Sequence, residues 1–330
     1  MAETVLITHN PVGEHASEDE KDVLVQAFHV AEALEQLGYQ TRILPFDHRS
    51  RGWAQTLQSL KPLCVFNLVE SLDGDGRLIH LACSLLDHLG ISYTGAPAEA
   101  MFLTSNKVLA KRWMHLAGVP TPEWIIPGRD EECICPFPGE YIIKAIWEEA
   151  SIGIDQASVV RASTKKDLLA RVSERSLGTG RQCFAERFID GREFNLSILA
   201  GSDGPQVLPP AEIVFSFPPG KRKIVDYRAK WDESSFEYQA TVRSFDFPPA
   251  DAPLLSRLTD SALACWRLFE LRGYARVDFR VDEQGGPWVL EINANPCISP
   301  DSGFVAAAEC AGIPFRELVG RIVADAARNR

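Results

Sequence analysis

Apolar residues recur along the first hundred positions with two alternating periods. The short run Val5–Thr8 is followed by Val23, Ala27, Val30, Ala31, Leu34 and Leu37 at helical spacing, and Gly38 closes that stretch. Gln40–Leu44 and Leu63–Leu68 read as further strands. Leu78–Leu89 reads as a second amphipathic helix closed by Gly90, and Ile91–Gly95 as a short strand and turn. This order predicts a small open α/β sheet. Ser105-Asn106-Lys107 opens another helix, running to about Ala117 and stopped by Gly118. Val119-Pro120-Thr121-Pro122 then forces extended backbone and suits a lobe boundary.

The second half alternates differently. Glu140–Ile146, Gln182–Phe188 and Glu193–Ala200 are strand-like, with a helix over Lys165–Ser176 and a turn at Asp190-Gly191. Strands around Pro209–Phe215 precede a polar excursion from Pro218 to Gln239. A helix follows from about Asp251 to Arg272, and Phe304–Ala311 and Phe315–Ala327 are helical. Between them lies the most informative period-two pattern, Tyr274–Val281 and Trp288–Asn293 flanking a reversal at 282–287. A hairpin symmetric about Gln284–Gly285 sets Asp278 opposite Glu291 and Arg276 opposite Asn293. Arg276, Asp278, Arg280, Val289, Glu291 and Asn293 then share one face. Val277, Phe279, Val281, Leu290 and Ile292 share the other, a core face. Two opposed carboxylates are unfavourable without a cation. Oxygen donors from Asp278, Glu291 and Asn293 suit Mg²⁺. A solvated face balanced by Arg276 and Arg280 would show the same pattern.

Composition narrows this picture. The 330 residues suffice for two or three lobes, and the net charge of −11 argues against a general nucleic-acid binder. It leaves an anionic nucleotide open, because a local site can oppose the global charge. The N-terminus lacks a signal-peptide pattern, and no apolar run reaches transmembrane length. Eight scattered cysteines form no CxxC pair or zinc spacing, which favours a reducing, cytoplasmic location. No GxGxxG follows the first strand, so a dinucleotide oxidoreductase is disfavoured.

Four further segments carry chemistry. Lys144 ends a strand, and Ala150, Ser151 and Gly153 in the following turn allow close backbone approach to a phosphate; an ordinary hairpin with a surface lysine competes. Glu186 and Glu193 flank a turn with apolar Phe188 and Ile189 between them, as a purine grip would; a surface network with Arg187 and Arg192 competes. Asp226-Tyr227-Arg228-Ala229-Lys230-Trp231 sits in the long excursion, which reads as a lid or as a solvated basic loop. Asn293 to Gly303 leaves the hairpin and enters a helix near Ser302. Its N-terminus could bind a carboxylate, while Asp301 and Ser302 also read as capping residues.

The order of these segments resembles the ATP-grasp superfamily and, within it, a divergent branch of the D-alanine–D-alanine ligase group. The resemblance spans about Leu63 to Ala326, including Val65–Glu70 and Ser92–Gly95, and more loosely the first segment. It implies an N-terminal open α/β domain over 1–103, a small mobile central ATP-grasp lobe over 104–190, and a C-terminal lobe with the metal hairpin over 191–330. Lys107 and Lys144 then resemble phosphate-contacting lysines. Glu186 resembles the adenine-amine acceptor with Phe188 and Ile189 near the ring, and Glu193 the ribose ligand. Asp278, Glu291 and Asn293 resemble ligands of Mg²⁺, two ions in such enzymes, with Mn²⁺ as the alternative. Arg276 resembles the arginine that stabilises transferred charge, Lys230 a lysine that joins the phosphates on lid closure, and Ser302 the serine that holds a second substrate's carboxylate.

The implied activity is ligation of two amino acids through an acyl phosphate, releasing ADP and phosphate. The alternatives are a ligase for another small carboxylate pair and a non-catalytic ATP-binding protein. A homodimer is implied. The chain departs from the pattern at Ala150, Trp231 and Cys297, which replace a serine, a tyrosine and a glycine. Its first loop lacks the glycine-rich opening, where Glu14 or Glu18 would have to serve the first amino acid.

Overall fold

A computed structural model of the chain describes residues 2–13, 16–128, 135–148 and 151–328. The first segment forms a parallel sheet in which β1 (Thr4–His9) lies between β2 (Gln40–Pro45) and β3 (Cys64–Leu68). Ile91–Gly95 contributes one parallel bridge, Val65 to Tyr93, rather than a full strand. β3 is buried along its whole length and β2, at the edge, is half-exposed, as coverage of both faces of a parallel sheet requires. The covering helices are α1 (Glu18–Gln36), α2 (Arg51–Leu60) and α3 (His80–Leu89). α2 was not expected. Trp53 and Leu57, one turn apart, bury its inner face, and Ser50 caps it by accepting from the Gly52 N–H.

α4 (Ala98–Ser105) and α5 (Lys107–Leu116) meet at Asn106, whose Oδ1 accepts from the Val108 and Leu109 N–H groups at 3.1 and 2.9 Å. The second sheet is antiparallel. Its order is β4 (Trp124–Ile125), β7 (Cys183–Arg187), β5 (Gly139–Ala145), β6 (Val159–Ala162), with α6 (Lys165–Thr179) packed on one face through Leu168 and Val172.

The third sheet runs β11 (Thr241–Ser244), β10 (Ala211–Phe215), β8 (Arg192–Leu199), β12 (Tyr274–Val281), β13 (Pro287–Asn293), with β9 (Gln206–Val207) beside β8. The polar excursion holds two short helices, α7 (Tyr227–Trp231) and α8 (Phe236–Gln239). α9 (Ala252–Leu268) covers the apolar face of β8 and β12. After α10 (Gly303–Cys310), α11 (Phe315–Arg328) returns to pack Leu318, Ile322 and Val323 against Val23, Ala27 and Leu34 of α1. Among the described residues no helix is long and apolar enough to cross a membrane.

The hairpin keeps the expected pairs, Asp278 with Glu291 and Arg276 with Asn293. Two residues of the expected faces, Val289 and Leu290, are exchanged, because the register shifts between Asp278 and Phe279, which pairs with Val289. Leu290 is the extra residue of a β-bulge. Val289 therefore turns into the core at 1% exposure, while Leu290 joins Glu291 on the cleft side.

Candidate active site

The second and third sheets face each other across a cleft of about 1340 Å³, larger than one small ligand needs. Four acidic groups of the sequence reading each meet a cation here. Lys144 ends β5 and Glu186 lies on the neighbouring strand β7, so Lys144 Nζ reaches Glu186 Oε1 at 2.6 Å. Glu193 lies 2.7 Å from Arg280, the residue paired with it across β8 and β12. Asp278 takes Arg276 from two positions earlier on the same face, with Nε–Oδ1 and Nη2–Oδ2 both at 2.8 Å. Glu291 lies 3.0 Å from Lys107.

Strand parity and a helix cap explain this convergence. Residues two apart on a strand share a face, and Asn106 fixes Lys107 at the start of α5, where its backbone N–H donates to Ile146 O at 3.0 Å. The lysine thus sits beside the end of the strand that carries Lys144. Burial opposes ionisation of Glu291, but Lys107, Lys144 and Arg276 outweigh it and hold its carboxyl at about 2. Burial likewise opposes ionisation of Glu186, and Lys111 with Lys144 pulls it below the usual carboxylate range. At Glu193 burial wins and raises the carboxyl, with Asp278 adding to the effect against Arg280.

Several contributors were missed in the sequence. Lys111 is buried at 1% exposure, 2.6 Å from Glu186 Oε2, and it also donates to Thr121 Oγ1 at 2.8 Å. It lies one helical turn after Lys107, a spacing that by itself does not separate a buried lysine from a solvated one. Asn195, two after Glu193 on β8, donates to Asp278 Oδ1 at 2.7 Å. Leu290 enters the cleft through the bulge, which no local pattern announced.

Phe188 and Ile189 also line the cleft, and Phe188 lies beneath the guanidinium of Arg280 at 5.7 Å. Ser151, in left-handed backbone at φ 61°, donates from Oγ to Val225 O at 2.8 Å and ties its turn to the polar excursion. Gln156 Nε2 reinforces that tie at Arg222 O, 3.1 Å away. Gly153 supplies a second left-handed step, and its carbonyl accepts from Arg175. Ala150 and Glu14 lie outside the described residues.

Lys230, on α7, projects toward the cleft with its ammonium 5.4 Å from the Trp231 ring. Ser302 caps α10, Oγ accepting from the Val305 N–H at 3.3 Å, and lines the same cleft. Glu18 does not reach it and pairs with Lys21 at the surface. Asp22 and Glu70 stand there instead, bridged by the Gln26 amide at 3.0 and 3.2 Å. Cys297 donates from Sγ to Asp22 at 3.0 Å, and burial together with Asp22 and Glu70 pushes its thiol up, away from nucleophilic use.

Asp278, Glu291 and Asn293 supply hard oxygen donors from adjacent strands, a set that fits Mg²⁺. No group of three or more His, Cys, Asp and Glu side chains able to hold a metal occurs among the described residues, so the remaining ligands would have to come from substrate phosphates or water.

Two antiparallel sheets closing on one cleft, with cations and carboxylates interleaved between them, define the ATP-grasp class of ligases. The family model described as D-ala D-ala ligase C-terminus matches residues 134–324. A D-alanine–D-alanine ligase of Synechococcus sp. (strain JA-3-3Ab) is 32% identical over 302 residues, covering 89% of this chain and 85% of the relative. An uncharacterised protein of Sinorhizobium fredii is 31% identical over 315 residues, covering 91% and 87%. Among solved structures, the Bacillus anthracis D-alanine–D-alanine ligase complexed with ATP superposes with a TM-score of 0.72 at 20% identity, covering 100% of this chain and 98% of that one. The chain belongs to the D-alanine–D-alanine ligase family, whose named members are ATP-dependent ligases forming C–N bonds.

Proposed function

We propose that the cleft activates the carboxylate of one amino acid with ATP and joins it to the amine of a second. The observation that carries this reading is the pairing of Glu186, Glu193, Asp278 and Glu291 with Lys144, Arg280, Arg276 and Lys107 in a single cleft. Such pairs can exchange partners when a nucleotide enters, the lysines turning to phosphate oxygens. Glu186 and Glu193, with Phe188, Ile189 and Leu290, would receive the nucleoside. Each Glu186 oxygen keeps a further lone-pair direction beside its lysine. Mg²⁺, when bound, would be held by Asp278, Glu291 and Asn293 and would neutralise charge on the β- and γ-phosphates.

A carboxylate is a poor electrophile, so its oxygen first attacks the γ-phosphorus; the bond from that phosphorus to the bridging oxygen breaks, ADP is the leaving group, and a bound acyl phosphate results. Lys107, Lys144 and Arg276 hold the transferred group. The amine of the second substrate then attacks the acyl carbon. Arg276 offsets the oxyanion charge, phosphate departs, and Ser302 positions the second carboxylate. Lys230 and the tie from Ser151 to Val225 keep water from the acyl phosphate. The central lobe over 104–190 would move against the rest as ATP enters, and Ala150 and Ser151 would belong to its phosphate turn.

The amino-acid end differs from the pattern at Trp231 and Cys297, which favours a pair other than two D-alanines. Cys83, Cys183, Cys265, Cys297 and Cys310 are reduced thiols, which fits a cytoplasmic setting. ADP release, measured with ATP, Mg²⁺ and pairs drawn from D- and L-amino acids, tests the reading. Release that depends on an amino-acid pair is expected. Activity confined to D-alanine would assign the pair to D-alanine itself, and ATP binding without amino-acid-dependent release would make the chain a nucleotide binder.

A further inference from the structure

Arg243, on the edge strand β11, differs from Lys107, Lys144, Arg276 and Arg280, which each face a carboxylate: among the described residues its side chain makes no ion pair or hydrogen bond, a state it shares in the cleft with Lys230. Its guanidinium lies against the first residue of α10, where a Cβ added to Gly303 would sit 3.4 Å from Nη2 and 3.5 Å from Nε. Arg243 keeps solvent access at the open side of the cleft, while the cleft walls and the neighbouring charge of Arg276 work against its charged form and Asp301 works for it. Two positions earlier on the same face, Thr241 holds a buried Oγ1 with no hydrogen-bond partner among the described residues. Ser302 and Arg276 line the same end of the cleft.

Resting on the ligase reading above, we propose that Arg243 is a specificity-determining residue that selects a second substrate carrying an additional anionic group, an amino acid of the aspartate or glutamate class. A monocarboxylate would satisfy Ser302 and leave Arg243 facing the like charge of Arg276. A dicarboxylate brings a second anionic group to Arg243 and gives Thr241 an acceptor. Without such a ligand water solvates Arg243, so the selectivity comes from the added charge-assisted pair that a second anionic group makes.

The test is calorimetric titration of aspartate, glutamate and alanine, each as both enantiomers, into the full chain loaded with Mg²⁺ and a non-hydrolysable ATP analogue. ADP release with ATP is followed in parallel. A dicarboxylate is expected to bind more tightly than alanine, and Arg243→Met to shrink that ratio by about 10- to 100-fold. Arg243→Lys should retain part of the ratio, and Arg243→Glu should turn the preference toward diamino acids. An unchanged ratio in Arg243→Met, or a parallel loss for every acceptor as a phosphate-binding arginine would give, overturns the proposal. Dicarboxylate binding that needs Arg243 but brings no ADP release with any pair would sink the ligase reading and leave this selectivity standing.

Discussion

Glu291 carries the most consequential charge in the cleft. Its carboxylate is ionised far below its ordinary value of 4.5, down to about 2. The folded chain therefore binds fewer protons than the unfolded one in this window, and the stabilisation is full above about pH 4.5 and lost as pH falls toward 2. Glu291→Gln is expected to flatten this acid limb in urea titrations across pH 2–5. The same substitution should lower ATP turnover at least about 100-fold with an unchanged circular-dichroism spectrum; preserved turnover would remove Glu291 from the metal set. Lys111→Met leaves Glu186 with Lys144 alone, so a loss of about 3 kcal/mol is expected in urea unfolding, and a loss below about 1 kcal/mol would show that Lys144 suffices. Glu291 was legible because strand parity needs only the hairpin. Lys111 was hidden because a lysine on an amphipathic helix ordinarily points to water.

At the scale of elements, the turn between β7 and β8 holds in register the residues proposed to receive the nucleoside. Gly191 adopts φ +150°, and a Cβ there would fall 2.0 Å from Val281 O. Gly191→Ala is expected to cost about 2–3 kcal/mol in urea unfolding and to weaken ATP binding with it; a neutral substitution would show that the turn can open away from β12. Most elements were readable from their period, as with α1 and the buried strands β1 and β3. β6 and β11 were not. They are short and at sheet edges, where half-exposed residues alternate weakly. α4 buries Ala100, Met101, Thr104 and Ser105 and shows apolar residues around much of its surface, so helical spacing gave no stripe.

Across the whole molecule, the chain ends where it begins. α11 completes the core over α1, so the N-terminal sheet cannot bury its apolar surface until the last helix is made. Sequence order suggested a succession of lobes and could not show this closure, because long-range pairing leaves no local signature. α1 keeps Leu24, Val25 and Phe28 exposed on its outer side, Phe28 at 56%. The proposed homodimer would cover these residues. Phe28→Glu is therefore expected to convert a dimer to a monomer in light scattering, and a persisting dimer would place the contact elsewhere.

Leu290 is an added letter in an otherwise regular word. Drop its codon, and Val289 still meets Phe279, while the residues that follow still carry a carboxylate to Asp278 and an amide to Arg276. The ladder would close over the gap with only an oily contact missing from the cleft. The proposed base grip and phosphate chemistry would thus be separately heritable within one hairpin. A Leu290 deletion is expected to raise the KM for ATP about tenfold with kcat within about threefold; a collapse of kcat would mean that the spare residue aligns the carboxylates after all.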